Sequence, residues 1–198
     1  VVLSYLNLMV CSLSVSTLTT RFIFPQFSLE GQRVWILGLA PVPLKRMLAL
    51  KLRLNGSVMA LLTSSLILLS SFTISLPWHR ILFFVAAMIM LNYGLTPLAL
   101  ALGTLLPNFR EQNPAKIVSG FGGTLCLISS FLYILSSIGV LILPAIAELK
   151  PDLLGAARLP GGRMQWEFLA LSGLALVSLV FGAAPYVFAK RTTKNWSV

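Results

Sequence analysis

Residues Ile81–Phe109, ILFFVAAMIMLNYGLTPLALALGTLLPNF, run for 29 positions without an Asp, Glu, Lys or Arg. A helix needs roughly 20 apolar residues to cross about 30 Å of hydrocarbon, so this stretch is long enough to span a bilayer. Four more charge-free stretches surround it: Val1–Thr20, Leu54–His79, Ile117–Ala147 and Phe168–Ala189. Together they predict an all-α fold, a polytopic transmembrane helical bundle with about five spans. The expected spans lie at about 1–20, 56–76, 82–106, 118–143 and 168–189 within a single transmembrane domain, 1–198. Loops 21–55 and 107–117 and the tail 190–198 are expected on one side, and loop 144–167 on the other.

Composition agrees with that class. Of the 198 residues, 57% are hydrophobic and only 10% charged, against about a quarter charged in a soluble domain. A formal charge of +10 raises the question of nucleic acid. The basic residues sit between the apolar stretches, where they orient the chain and meet anionic headgroups, so no nucleic-acid partner is expected. Eleven of the fifteen basic residues fall in 21–53, 107–116 and the tail; Arg80, Lys150, Arg158 and Arg163 fall opposite. The positive-inside rule then places the first group, and the C-terminus, in the cytoplasm of a plasma (inner) membrane. The chain opens on Val1-Val2 inside an apolar segment and is expected to be a C-terminal fragment.

The chemistry for an enzyme is thin. The spans contain no ionisable acid of the kind that ion-coupled transport keeps despite its insertion cost. His79 stands beside Arg80 without an orienting acid, and Cys11 and Cys126 lie within spans as small packing residues. No ligand set for a metal and no catalytic group is expected. The sequence holds no G-x-x-x-x-G-K-[ST], and Gly120-Phe121-Gly122-Gly123 opens a span rather than following a strand. Those glycines predict close helix approach. Tyr93-Gly94-Leu95-Thr96-Pro97 predicts a kink in span three. Asn92, Ser129, Ser130, Ser136, Tyr93 and Tyr133 suit interhelical hydrogen bonds and an amphipathic cargo equally well.

The loop between spans one and two carries the most local structure. Ser28 is placed to cap a helix over Leu29–Leu37, with Glu30 in its first turn and Arg33 at i+3. Gly38 and Pro41-Val42-Pro43 break it, and a second helix is expected from Leu44 to about Leu54. Lys45, Arg46 and Arg53 share one face there, a basic face for the membrane surface, while Lys51 falls on the apolar side. This is a cytoplasmic helix–turn–helix between spans one and two. In the second loop, Asn113 is expected to cap a helix beginning at Pro114.

Phe27–Leu37, followed by Pro41-Val42-Pro43 and Lys51, is similar to a segment of the permease subunits of ABC-2-type ATP-binding-cassette exporters. Leu102–Phe109, Asn113–Ile117 and Gly120–Gly123 resemble the same group in the same order, and Gln32 departs from its pattern. The resemblance covers about residues 21–135. It implies a membrane permease, paired with a second permease subunit or half as a dimer, coupling ATP hydrolysis on a partner ATP-binding-cassette ATPase subunit to substrate translocation. ATP and Mg would then lie on the partner, and this chain would carry no cofactor and be no enzyme itself. It also implies that Leu29–Leu37 is a coupling helix, with Glu30 and Arg33 as ionic contacts and Trp35 as apolar anchor; Asn113 and Pro114 would be cap or second contact. Two other readings stand beside it: a secondary transporter or channel fragment, and a non-transporting membrane scaffold or sensor whose first loop binds another cytoplasmic protein.

Overall fold

A computed structural model describes residues 2–31, 44–149 and 162–187; among these all regular structure is helical and there is no strand. In chain order the elements are α1 (Val2–Phe22), α2 (Gln26–Glu30), α3 (Leu44–Thr73), α4 (Trp78–Leu105), α5 (Pro114–Ser119), α6 (Phe121–Leu141), α7 (Leu143–Leu149) and α8 (Gly162–Ser178). A π-helical turn, Leu179–Ala183, interrupts the last helix, which then continues to residue 187. Five helical segments are long and apolar enough to cross a membrane: Leu3–Glu30, Arg46–Thr73, Trp78–Leu105, Phe121–Ile146 and Gln165–Val187. That is the number expected from the charge-free stretches, and it is compatible with residence in a membrane.

Helix α4 is the axis of the bundle. It packs against α1, α2, α3, α6, α8 and the π turn. A helix that is apolar all round can be buried on every side, and α4 buries every residue of Gly94-Leu95-Thr96-Pro97-Leu98-Ala99-Leu100-Ala101, more than two full turns. The outer helices keep apolar faces outward, as at Leu61, Leu69, Phe121 and Leu176, which suits contact with lipid rather than water. One apolar cluster joins Leu8, Val15, Ile67, Phe84, Leu91 and Leu174. A second, nearer the loops of the first and third spans, joins Ile23, Phe24, Leu48, Met59, Leu100 and Cys126.

Small residues let the backbones meet, as packing between helices in lipid requires. A Cβ at Gly103 would run into the Phe24 carbonyl oxygen, and one at Gly94 into the Tyr133 phenol. Polar side chains satisfy one another across the same seams. Asn92 donates to the Gly56 carbonyl at 3.0 Å and accepts from Thr96 at 2.9 Å. The Tyr133 hydroxyl lies 2.7 Å from Ser178 Oγ and donates to the Leu91 carbonyl at 3.3 Å. Asn92 and Tyr133 thus make interhelical bonds, whereas Tyr93 is exposed.

Several boundaries differ from the sequence reading. The second helix of the first loop does not stop at Leu54: α3 runs unbroken from Leu44 to Thr73, because nothing after Pro43 interrupts the hydrogen-bond ladder. Most of the first helix and the turn of the expected helix–turn–helix fall within 32–43, outside the described residues. Ser28 is not an N-cap; α2 begins earlier, after Pro25, and Ser28 is buried inside it. Span four starts at Phe121, after an extended Gly120 separates it from α5. Its break comes at Ile142, which leaves Pro144 in the first turn of α7, where its missing N–H costs nothing. The last span begins at Gly162 rather than near 168. Pro97 sits inside an uninterrupted α4.

The glycine contacts rank two substitutions. Gly103→Val sets a side chain against the Phe24 backbone, which cannot yield as a flexible side chain can, and should destabilise the fold by about 1–3 kcal/mol. Gly139→Ala adds a Cβ with no atom within 4 Å and should hold or slightly raise the melting temperature. Thermal unfolding in mild detergent compares the two.

Candidate functional site

The polypeptide leaves α1 through a tight turn in which the amides of Ile23 and Phe24 both reach back to the Thr19 carbonyl, at 2.9 and 3.3 Å. That turn presses Phe24 onto Gly103 and directs α2 toward the link between α4 and α5. Here residues 26–31 of the first loop and the 106–113 link meet in space. The Asn108 amide donates to Ser28 Oγ at 3.1 Å. The Phe27 and Phe109 rings are tilted against each other with centroids 6.3 Å apart. Gly31 lies so close to Phe109 that a Cβ there would enter its ring.

Helix α3 closes the other side. Lys51 pairs with Glu30 and places its ammonium 5.9 Å from the Phe27 ring centre, a cation–π distance. One turn on, Gln26 and Asn55 exchange two amide hydrogen bonds, at 3.0 and 2.6 Å. Lys51 had looked misplaced on the apolar side of its helix; that misplacement was the signal for a tertiary partner. The Lys51 side chain is 20% exposed and that of Glu30 41%, so the pair is held at a rim. This joint of α2, α3 and the 106–113 link is the best-organised polar cluster at this end of the bundle.

The other residues singled out from the sequence divide. Arg33 and Trp35 lie outside the described residues, so the contacts expected of them lie there too. Glu30 is present but engaged by Lys51. Lys45 is the second residue of α3, and Arg46 and Arg53 are exposed along that helix. Asn113 caps α5 as expected, its Oδ1 accepting from the Ala115 amide at 3.0 Å, with Pro114 at the first helical position. Asn108 orders the link by accepting from the Arg110 amide at 3.2 Å. Phe27, Phe109, Gln26 and Asn55 were not singled out, because their pairings join residues far apart in sequence. Among the described residues no three His, Cys, Asp or Glu side chains gather as for a metal ion. Cys11 and Cys126 are free and buried.

The Glu30–Lys51 pair should be measurable as a coupling. In a double-mutant cycle with Glu30→Gln and Lys51→Met, the interaction is expected at about 1 kcal/mol or less for a rim-exposed pair. It should shrink as salt is raised. Unfolding of the four proteins at two ionic strengths checks both points.

Comparison with known proteins bears on what this end of the bundle serves. The model of a family described as "Putative ATP-binding cassette" matches residues 1–198. No curated protein and no solved structure gives a match. The whole-length match corrects the reading of the chain as the permease subunit of an ABC-2-type exporter working with a separate ATPase, because the family it identifies is an ATP-binding cassette and not a permease. The resemblance behind that reading rested on two short loops. At a membrane–water boundary, Pro, Gly, basic and aromatic residues recur for reasons of capping and headgroup contact, so such motifs discriminate less than a match along every span. An ATP-binding-cassette assignment also points to association with other components of an ABC transporter. The chain belongs to this ATP-binding-cassette family.

Proposed function

We propose that these 198 residues are the membrane-anchoring helical part of an ATP-binding-cassette assembly, holding its ATP-hydrolysing machinery against the bilayer. The observation that carries this reading is a conjunction. The family match runs the whole length of the chain, and that same length contains five helices apolar enough to cross a membrane. ATP and Mg are then bound outside these residues, within which no phosphate-loop sequence occurs. The excess of basic residues orients the α2–α3 end and the C-terminus toward the cytoplasm of a plasma (inner) membrane. The joint of Phe27, Ser28, Glu30, Lys51 and Phe109 supports a docking role, because it makes the two loops at that end one body. A partner bound to either loop then acts on both.

The test is recovery of ATPase from membranes. The full-length protein, extracted in mild detergent from alkali-washed membranes, should bring with it an ATP-hydrolysing ABC component. Gly31→Val, which drives a side chain into Phe109, should lower that recovery several-fold while the chain stays in the washed membrane. Recovery of the chain in the soluble fraction, or the absence of any associated ATPase from the intact protein, would sink the reading.

A further inference from the structure

Between α3, α4 and the π-interrupted helix lies an open cavity of about 350 Å³, within the range of small-ligand sites. Leu52, Met90, Tyr93, Pro97, Ala183 and Tyr186 contribute to its lining. The π turn and Gly182 shape it. A Cβ on Gly182 would lie 3.0 Å from Pro97 Cγ and 3.1 Å from the Gly94 carbonyl oxygen, so the two backbones touch there. Ala175 and Ala183, on the same last helix, are too short to fill the space beside that contact. π turns recur at functional sites in helices.

Two features say what fits. First, the lining is apolar but carries two phenols. Tyr93 is 68% exposed, and among the described residues neither its hydroxyl nor that of Tyr186 has a hydrogen-bond partner. A hydroxyl facing hydrocarbon needs an acceptor, because the chain tails around it supply none. Second, α3, which contributes Leu52 to the lining, also carries two exposed arginines on an adjoining face. Arg53 follows Leu52, which lines the cavity, and stands one turn before Gly56, whose carbonyl is bonded by Asn92 next to Tyr93. Arg46, seven residues earlier, lies on the same face two turns toward the loops. Both arginines are exposed, and among the described residues neither has an acidic partner. Lys51 takes no part: it points to the opposite flank of α3 and is held by Glu30.

We propose that this groove holds one acyl chain of an anionic phospholipid, with the phosphate gripped by Arg53 and Arg46 and the Tyr93 hydroxyl donating to an ester carbonyl. A guanidinium presents paired donors that match a phosphate, and a long arginine stem lies along apolar surface while its head reaches the headgroup layer. The order of groups along the groove is the order along a phospholipid: charge at the end near the loops, ester one turn deeper, chain beyond. The proposal needs the chain to sit in a membrane but does not depend on its role in an ATP-binding-cassette assembly.

Native mass spectrometry of the full-length protein, taken from vesicles of equal phosphatidylglycerol and phosphatidylcholine with identical chains, tests it. Wild type should retain one phosphatidylglycerol in strong preference to phosphatidylcholine. Arg46→Gln with Arg53→Gln, both exposed and so tolerant of change, should lower that preference roughly 30-fold. Tyr93→Phe should reduce retention several-fold while keeping the headgroup preference, and Ala183→Leu should abolish retention by filling the groove. Equal retention of the two lipids by wild type, an unchanged preference in the double arginine variant, or lipid-free dimers in which a second copy covers Tyr93 would each overturn the proposal.

Discussion

Inside hydrocarbon no water is present to bond a free amide or carbonyl, so every segment that crosses must close its backbone hydrogen bonds internally. For helices as long and apolar as the five found here, that constraint favours helix before any tertiary contact forms, and it leaves side-chain packing to decide how the helices sit. The apolar drive that collapses a soluble domain is largely absent between helices in lipid. What remains is close approach, and α4 supplies it. Gly94 and Gly103 admit a phenol and a carbonyl where any side chain would collide, and Asn92 ties the same helix to the Gly56 carbonyl.

The α2–α3 joint follows from that packing. Because Phe24 rests on Gly103, the turn after α1 can aim α2 at the α4–α5 link rather than away from it. Lys51 then finds Glu30, and Phe27 finds Phe109. These contacts join α2, α3 and the 106–113 link at one end of the bundle. The groove beside Tyr93 is the complementary case. There the π turn and small residues leave space unfilled by the chain, and a phenol is presented without a partner.

Membership of the ATP-binding-cassette family was visible in the loops only as a general likeness, and the specific subunit inferred from them was wrong. Short motifs at a membrane boundary answer to local demands such as capping, turning and headgroup contact. The assignment at the level of the whole chain draws on the apolar helices as well, and it replaces the permease family with an ATP-binding-cassette family.

The sequence alone determined the number of helices long and apolar enough to cross a membrane, because a stretch without charge can be measured directly against hydrocarbon thickness. It also determined the Asn113–Pro114 start of α5, where the cap and the first position follow from residue type. Tertiary structure decided the rest. The basic run Leu44–Leu54 read as a separate surface helix because Lys45, Arg46 and Arg53 share one face; folded, the helix continues to Thr73, and Lys51 on its other side pairs with Glu30. Ser28 read as a cap, but α2 begins after Pro25 and leaves Ser28 inside the helix, its hydroxyl accepting from the Asn108 amide eighty positions away. Gln26 with Asn55, Phe27 with Phe109 and Tyr133 with Ser178 leave no local periodic trace, because each pairing exists only once helices distant in sequence have been brought together by packing around α4.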